Sequence, residues 1–184
     1  MPRRVLILYA HPMPRKSRAN RALVEAVRGL DGLTFHDLYE TYPDFYIDVK
    51  HEQDLLRQHD VIVVQHPFYW YSAPALMKEW LDLVLEHGFA YGEGGTALKG
   101  KRWQQAITTG GPAEAYEPAG YNRFTVRQLL APFEQTAHLC GMPFLEPFIV
   151  PGVLALNKQQ LETEGQRYRV LIEQLLNPEE ADAA

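Results

Sequence analysis

The order of apolar runs in this sequence predicts an α/β three-layer sandwich around a five-stranded parallel sheet, strand order 2-1-3-4-5. Two observations carry that expectation. The run Val5 to Tyr9 and the run Val61 to Val64, which Gln65 ends, are continuously apolar and rich in β-formers, the pattern of strands buried on both faces. Segments of helical spacing fall between such runs, so each strand returns through a crossover and lies parallel to its neighbour. A sheet wound in both directions from its first strand opens a ligand crevice beyond the strands' carboxyl ends, where the winding reverses. The loops after strands one, three and four are therefore expected to converge.

Strand one, Val5 to Tyr9, has Arg3 and Arg4 before it and His11-Pro12 after it. From Arg18 onward Ala19, Leu23, Ala26, Val27 and Leu30 recur at helical spacing, and Gly29 and Gly32 punctuate the end. Leu33 to Leu38 alternates apolar and polar side chains, as a strand near a sheet edge does. A turn-rich stretch through Pro43 and a short helix near Lys50 to His59 lead to strand three, Val61 to Gln65. Pro74 stands where a first helical turn tolerates proline, and Leu76, Met77, Trp80, Leu81, Val84 and Leu85 form that helix's inward face. Trp103 to Thr108 reads as strand four, Val126 to Cys140 as one helix, Phe144 to Val150 as strand five and Lys158 to Leu176 as the terminal helix. Residues 1–176 are expected to form a single domain, and 177–184 a flexible acidic tail.

The 184 residues are enough for one well-buried core and few for two ordinary domains. A composition 46% hydrophobic and 22% charged is that of a soluble globular protein, and 11% aromatic residues leave a surplus for a flat-ligand pocket. The net charge of -5 and the absence of clustered cations argue against a nucleic-acid partner. Cys140 is the single cysteine and fits a reducing compartment, so the expected location is cytoplasmic. The apolar run after Arg3-Arg4 is short for a secretory signal, and no stretch approaches the roughly 20 residues that cross a bilayer. Any membrane association is expected to be peripheral. The histidines, at 11, 36, 51, 59, 66, 87 and 138, show no metal-ligand spacing, so no metal is assigned. Cys140 belongs to a mostly apolar helix face and reads as a structural thiol.

Three loops carry the chemistry. The first, His11 to Asn20, opens directly into a helix, whose N-terminus offers unpaired N–H groups and partial positive charge to a phosphate. Ser17 can cap that helix or donate to a phosphate oxygen, Asn20 brings an amide donor where a capping box would have Glu or Gln, and His11 adds a further donor. An ordinary capped helix behind a proline-rich turn explains the same residues. Neither Gly-x-Gly-x-x-Gly nor a triphosphatase loop is present, which leaves a mononucleotide-type phosphate. The second loop, His66-Pro67-Phe68-Tyr69-Trp70-Tyr71-Ser72-Ala73-Pro74, holds four adjacent rings that cannot all enter the core. They face a flat aromatic ligand, a partner chain or water, or pack between helix and sheet. The third, Thr108-Thr109-Gly110-Gly111-Pro112, lets the backbone approach a ligand and supplies donors for negative charge near N1 and O2 of a reduced flavin. Tyr116 can bond the same edge or be structural.

With these loops placed, the chain resembles the FMN-dependent NAD(P)H:quinone oxidoreductase family of flavodoxin-like folds, and within it the cytoplasmic ancillary subunits of glutathione-gated Kef potassium-efflux systems. The strings that carry the resemblance are Tyr9-Ala10-His11-Pro12 with Ser17-x-x-Asn20, Leu38-Tyr39, Tyr42-Pro43-Asp44-Phe45, Ile47-Asp48 and Gln65-His66-Pro67 to Tyr71-Ser72. They continue with Lys78-Glu79-Trp80-Leu81-Asp82, His87 to Gly92 and Ile107 to Gly111. The resemblance implies FMN, its phosphate held by His11, Ser17, Arg18 and Asn20 and its ring by Pro67, Phe68, Tyr69, Trp70, Tyr71, Thr108, Thr109, Gly110 and Gly111. It implies NADPH or NADH as donor, a quinone-type acceptor, and a homodimer whose second chain closes the pocket near His87 to Gly95. In better-known quinone reductases a tyrosine and a histidine after Thr-Thr-Gly-Gly assist the flavin. Tyr116 stands at the tyrosine position, while the histidine position falls at about Asn122, which takes up no proton near neutral pH.

Two functions from different classes follow from the resemblance: a ping-pong oxidoreductase, and a regulatory subunit docked on the cytosolic face of a potassium/proton antiporter. An electron-carrier flavodoxin fits less well, because the first loop lacks Ser/Thr-Gly-Ser/Thr. Arg15, Lys16 and Arg18 can serve either the FMN phosphate or the extra phosphate of NADPH.

Overall fold

The computed structural model describes residues 2–177. Five strands, β1 (Val5–Tyr9), β2 (Leu33–Asp37), β3 (Val61–Pro67), β4 (Arg102–Thr108) and β5 (Phe148–Val150), form one sheet in the order β2-β1-β3-β4-β5. Every neighbouring pair is parallel. The helices are α1 (Arg18–Val27), α2 (Leu38–Thr41), α3 (Val49–Gln58), α4 (Ala75–Val84), α5 (Val126–Leu129), α6 (Ala131–Leu139) and α7 (Lys158–Leu176). The expected α/β architecture and strand order are those observed.

The alternation of side chains along each strand divides the core in two. Leu6, Leu8, Ile62, Val64 and Ile107 pack against α3, α4 and α6 through Leu56, Leu76, Met77, Trp80 and Phe133. On the other face Val5, Ile7, Val61 and Val63 meet Leu23 and Val27 of α1 and Tyr168, Ile172 and Leu175 of α7. The strands β1 and β3 are buried along their whole length, whereas β2 is only partly buried, which is why β1 and the stretch Val61 to Val64 of β3 are continuously apolar and β2 alternates. Gly165 lets α7 sit on α1: a Cβ there would lie 3.2 Å from both the Ala22 carbonyl oxygen and the Ala26 Cβ.

Four expected boundaries are corrected. The segment 126–140 is two helices, because Pro132 has no N–H for an α-helical bond and its ring clashes with the preceding turn; α5 ends at Leu129 and α6 restarts at Ala131. Strand five is three residues long, since Pro143 and Pro147 interrupt its ladder and Phe144 makes only an isolated bridge to Trp103. Strand three runs two residues further than its apolar run, through His66 and Pro67, with both side chains buried. The turn-rich stretch before Pro43 contains α2, capped by Asp37, whose carboxylate accepts from the N–H groups of Tyr39 and Glu40 at 3.0 and 3.2 Å. The expected tail, apart from Asn177, lies outside the described residues. No helix among the described residues is long and apolar enough to cross a membrane.

Candidate functional site

The loops after β1, β3 and β4 meet at the carboxyl end of the sheet around two adjoining cavities that share Phe68 and Gly110. The larger, about 430 Å³, is lined by His11, Ser17, Arg18, Pro67, Tyr69 and Thr108 among others; the smaller, about 250 Å³, by Trp70, Tyr71, Gly111, Tyr116, Tyr121 and Asn122.

The larger lobe gathers hydrogen-bond donors and positive charge. A 3₁₀ turn, Pro14–Lys16, delivers the chain to α1, and Ser17 caps the helix by accepting from the N–H of Asn20 at 3.2 Å. The backbone N–H groups of Arg18 and Ala19, the first two of the helix, donate to no acceptor among the described residues, and both residues line the cavity. Ser17 Oγ also accepts from Asn20 Nδ2 at 3.2 Å, so its own proton remains available to a ligand. His11 Nδ1 accepts from the N–H of Met13 at 3.0 Å, which places the ring proton on Nε2 as a further donor. Burial holds the His11 imidazole below its ordinary pKa, so it donates as a neutral ring. Lys16 and Arg18 add positive charge at the wall, and Arg18 Nη2 donates to the Leu156 carbonyl at 2.9 Å, tying the helix start to the loop after β5.

Asn20, an expected binding residue, is 1% exposed and works from beneath the cavity. Its Nδ2 donates to Thr108 Oγ1 at 2.9 Å, and its Oδ1 accepts from Gln65 Nε2 at 3.3 Å. Gln65 Oε1 accepts in turn from the Tyr168 hydroxyl at 2.9 Å. This buried chain locks α1, β3, β4 and α7 together under the larger lobe. Thr109 is likewise fully buried, its hydroxyl donating to the Gly111 carbonyl at 2.7 Å.

The aromatic loop makes a tight reversal. Tyr69 and Ser72 form an antiparallel bridge with the Ser72 N–H donating to the Tyr69 carbonyl at 3.0 Å, while Trp70 and Tyr71 between them have φ of 48° and 62°. Two successive left-handed residues are the signature of a type I′ turn, normally Asn-Gly; an indole and a phenol there cost about 1–2 kcal/mol per residue. Their N–H groups donate to nothing among the described residues, as do those of Gly110 and Gly111. Trp70 is 91% exposed, Tyr69 and Tyr71 are less so, and Phe68 packs partly on the core. Across the smaller lobe the Tyr71 hydroxyl donates to Asn122 Oδ1 at 3.0 Å. Tyr116 sits beside Phe68, ring centroids 6.2 Å apart, and burial raises its phenol above the usual value, so it is a donor at neutral pH. A Cβ at Gly111 would meet the Tyr121 hydroxyl at 2.8 Å, so a side chain there would displace that exposed phenol.

The structure therefore brings together every expected site residue, with Asn20 and Thr109 as buried supports. Sequence reasoning missed Met13, Val153 and Leu154 in the larger lobe and Tyr121 in the smaller. The loop after β5 could have been found from topology alone, since it leaves the same end of the sheet; its apolar residues carry no chemical signal. Gln65 and Tyr168 were legible only as core residues.

Comparison with known proteins agrees with this geometry. The flavodoxin-like fold family matches residues 3–172. The glutathione-regulated potassium-efflux system ancillary protein KefG of Pectobacterium carotovorum is 53% identical over 167 residues, 91% of each chain. The structure of general stress protein 14 from Treponema denticola in complex with FMN superposes with a TM-score of 0.89 at 38% identity, covering 94% of this chain and 99% of that one. An NADPH-quinone reductase from P. pentosaceus superposes at 0.84 with 32% identity, covering 91% and 96%. The chain belongs to the flavodoxin-like family and is a homologue of the potassium-efflux ancillary proteins.

Proposed function

We propose that the protein binds FMN in the two-lobed crevice and passes hydride from NADPH or NADH to a quinone-type acceptor. The observation that carries this reading is the donor set: two unpaired N–H groups at the start of α1, the Ser17 hydroxyl and His11 Nε2 in one lobe, and four unpaired N–H groups from Trp70, Tyr71, Gly110 and Gly111 in the other. The first set suits a phosphomonoester, the second the heteroatom edge of a flat ring, and the separation into two lobes suits a ligand with both ends. The likeness to an FMN complex and to an NADPH-quinone reductase supports it.

When bound, FMN supplies the hydride chemistry. The residues orient it: Ser17, His11, Arg18 and the α1 N-terminus hold the phosphate, Phe68 and Tyr69 wall one side of the crevice, and the Gly110-Gly111 backbone allows close approach. Tyr116, a protonated phenol, and the Asn122 amide stabilise negative charge at the smaller lobe without giving up a proton, so turnover is expected without an ionisable relay at that position. The exposed Trp70, Tyr121 and Leu154 at the rim suit a second copy of the chain closing the crevice.

A second reading rests on the 53% identity to an ancillary protein of a potassium-efflux system: the protein docks on the cytosolic face of a potassium/proton antiporter and biases its gating, with quinone reduction secondary. A cytoplasmic location, peripheral to the inner membrane, accords with both. An anaerobic spectrum of the FMN-loaded protein tests the first reading: NADPH is expected to bleach the flavin and a simple quinone to restore it. Tight binding without bleaching favours the regulator, and failure to bind FMN ends the oxidoreductase reading.

A further inference from the structure

Next to Gln65, whose side chain supports the anion lobe on one face of the sheet, His66 points to the opposite face and is 0% exposed. Its ring lies 5.7 Å from that of Phe133 and takes no part in the site described above. Three buried side chains form a chain there. Trp103 Nε1 donates to Gln105 Oε1 at 2.9 Å, Gln105 Nε2 lies 2.6 Å from His66 Nε2, and His66 Nδ1 lies 2.8 Å from the Pro67 carbonyl oxygen. An indole nitrogen can only donate. It therefore fixes the Gln105 amide with oxygen toward Trp103 and nitrogen toward His66, which makes His66 Nε2 the acceptor and puts the ring proton on Nδ1, aimed at Pro67. The chain has one direction, fixed at both ends, since the Pro67 carbonyl can only accept.

The Pro67 carbonyl also accepts the Tyr69 N–H at 3.0 Å, and the N–H of the same peptide, on Phe68, donates to the Thr108 carbonyl at 2.8 Å. The peptide at which β3 becomes the aromatic loop is thus held at both its oxygen and its nitrogen. The two residues after Tyr69 are Trp70 and Tyr71, whose left-handed conformations leave their N–H groups unpaired in the smaller lobe.

We propose that Trp103, Gln105 and His66 form a positioning relay that orients the Pro67–Phe68 peptide, and through it the N–H groups of Trp70 and Tyr71, toward the flavin ring. The flavin part rests on the FMN reading given above. Burial pushes His66 down to about 4, so the neutral, single-tautomer ring persists across the neutral range.

The test combines ¹⁵N NMR of the histidine rings in the cofactor-free protein with FMN titration by flavin fluorescence, circular dichroism confirming the fold of each variant. In the wild type, His66 is expected to show a protonated Nδ1 and an accepting Nε2 from pH 5 to 8. Trp103→Phe, which removes the donor that fixes the Gln105 amide from a site that contributes nothing to the cavity lining, leaves the Pro67 carbonyl holding the proton on Nδ1 and is expected to shift the His66 Nε2 resonance and to weaken FMN binding roughly five- to tenfold. His66→Phe is expected to weaken it at least as much, and adding Trp103→Phe to it to cost nothing more, since both act through one chain. An unchanged His66 Nε2 resonance and affinity in Trp103→Phe, or additive losses in the double variant, would overturn the relay. A His66 Nε2 resonance that responds to Trp103→Phe in a protein taking up no FMN overturns the assignment to flavin, and identifies the FMN reading as the part that failed.

Discussion

The two lobes of the crevice are made by opposite means. The anion lobe rests on the buried chain Tyr168–Gln65–Asn20–Thr108, which joins four elements and leaves each hydrogen-bonding group with a partner except those turned to the cavity. The ring lobe is walled by an exposed turn whose two central residues are held at positive φ and whose link across the opening, Tyr71 to Asn122, is open to solvent. The difference teaches that the first lobe is organised before a ligand arrives, while the second is completed by what fills it. A phosphate needs fixed dipoles, whose benefit is lost if they must reorganise. A ring that exchanges partners during turnover needs an opening.

The largest effect is expected where the buried chain is cut. Asn20→Ala leaves Gln65 Nε2 and the Thr108 hydroxyl without partners and is expected to cost about 2–4 kcal/mol of stability, read from urea unfolding. FMN affinity in the same variant should fall on the order of a hundredfold, because the Ser17 turn loses its anchor to the sheet. Retained affinity would show that α1 holds the anion lobe alone.

Acid is expected to act next, through the buried His66 at the end of β3. His66 is neutral in the folded protein down to about pH 4, whereas an unfolded chain protonates it near its ordinary 6.5. Between those values the unfolded state binds the extra proton, so the contribution of His66 is complete above about pH 6.5 and is lost progressively as pH falls toward 4. The loss is on the order of 2–3 kcal/mol. Stability measured against pH should be flatter in His66→Phe than in the wild type over this window; parallel curves would remove His66 from the acid response.

Changes in the exposed turn should hardly touch the fold. Trp70→Asn places a residue tolerant of positive φ in the turn and is expected to leave stability within about 1 kcal/mol of the wild type, on the stabilised side, while quinone reduction falls. A marked loss of stability there would mean that the indole packs against something in solution, a second copy first. Tyr71→Phe removes only the solvent-exposed bond to Asn122. Its effect on stability is expected to stay within about 0.5 kcal/mol, with the change confined to KM for the acceptor.

What the sequence by itself determined is whatever depends on neighbours a few residues apart. The continuous runs of β1 and β3, the alternation of β2, the helical period of α1, and the grouping of rings and glycines in single loops are all local, and all were legible. Tertiary structure decided the rest. Asn20 read as a ligand donor because its sequence neighbours are a helix cap; its partner Thr108 is 88 residues away. His66 read as one more residue of an aromatic loop, and only the pairing of β3 with β4 sets Gln105 beside it. A buried polar side chain must find its partner across the fold, and no period or spacing within its own segment records where that partner lies. The polar residues that face the cavity were therefore readable from their chemistry, while its apolar wall from the loop after β5 and the buried groups beneath it were not.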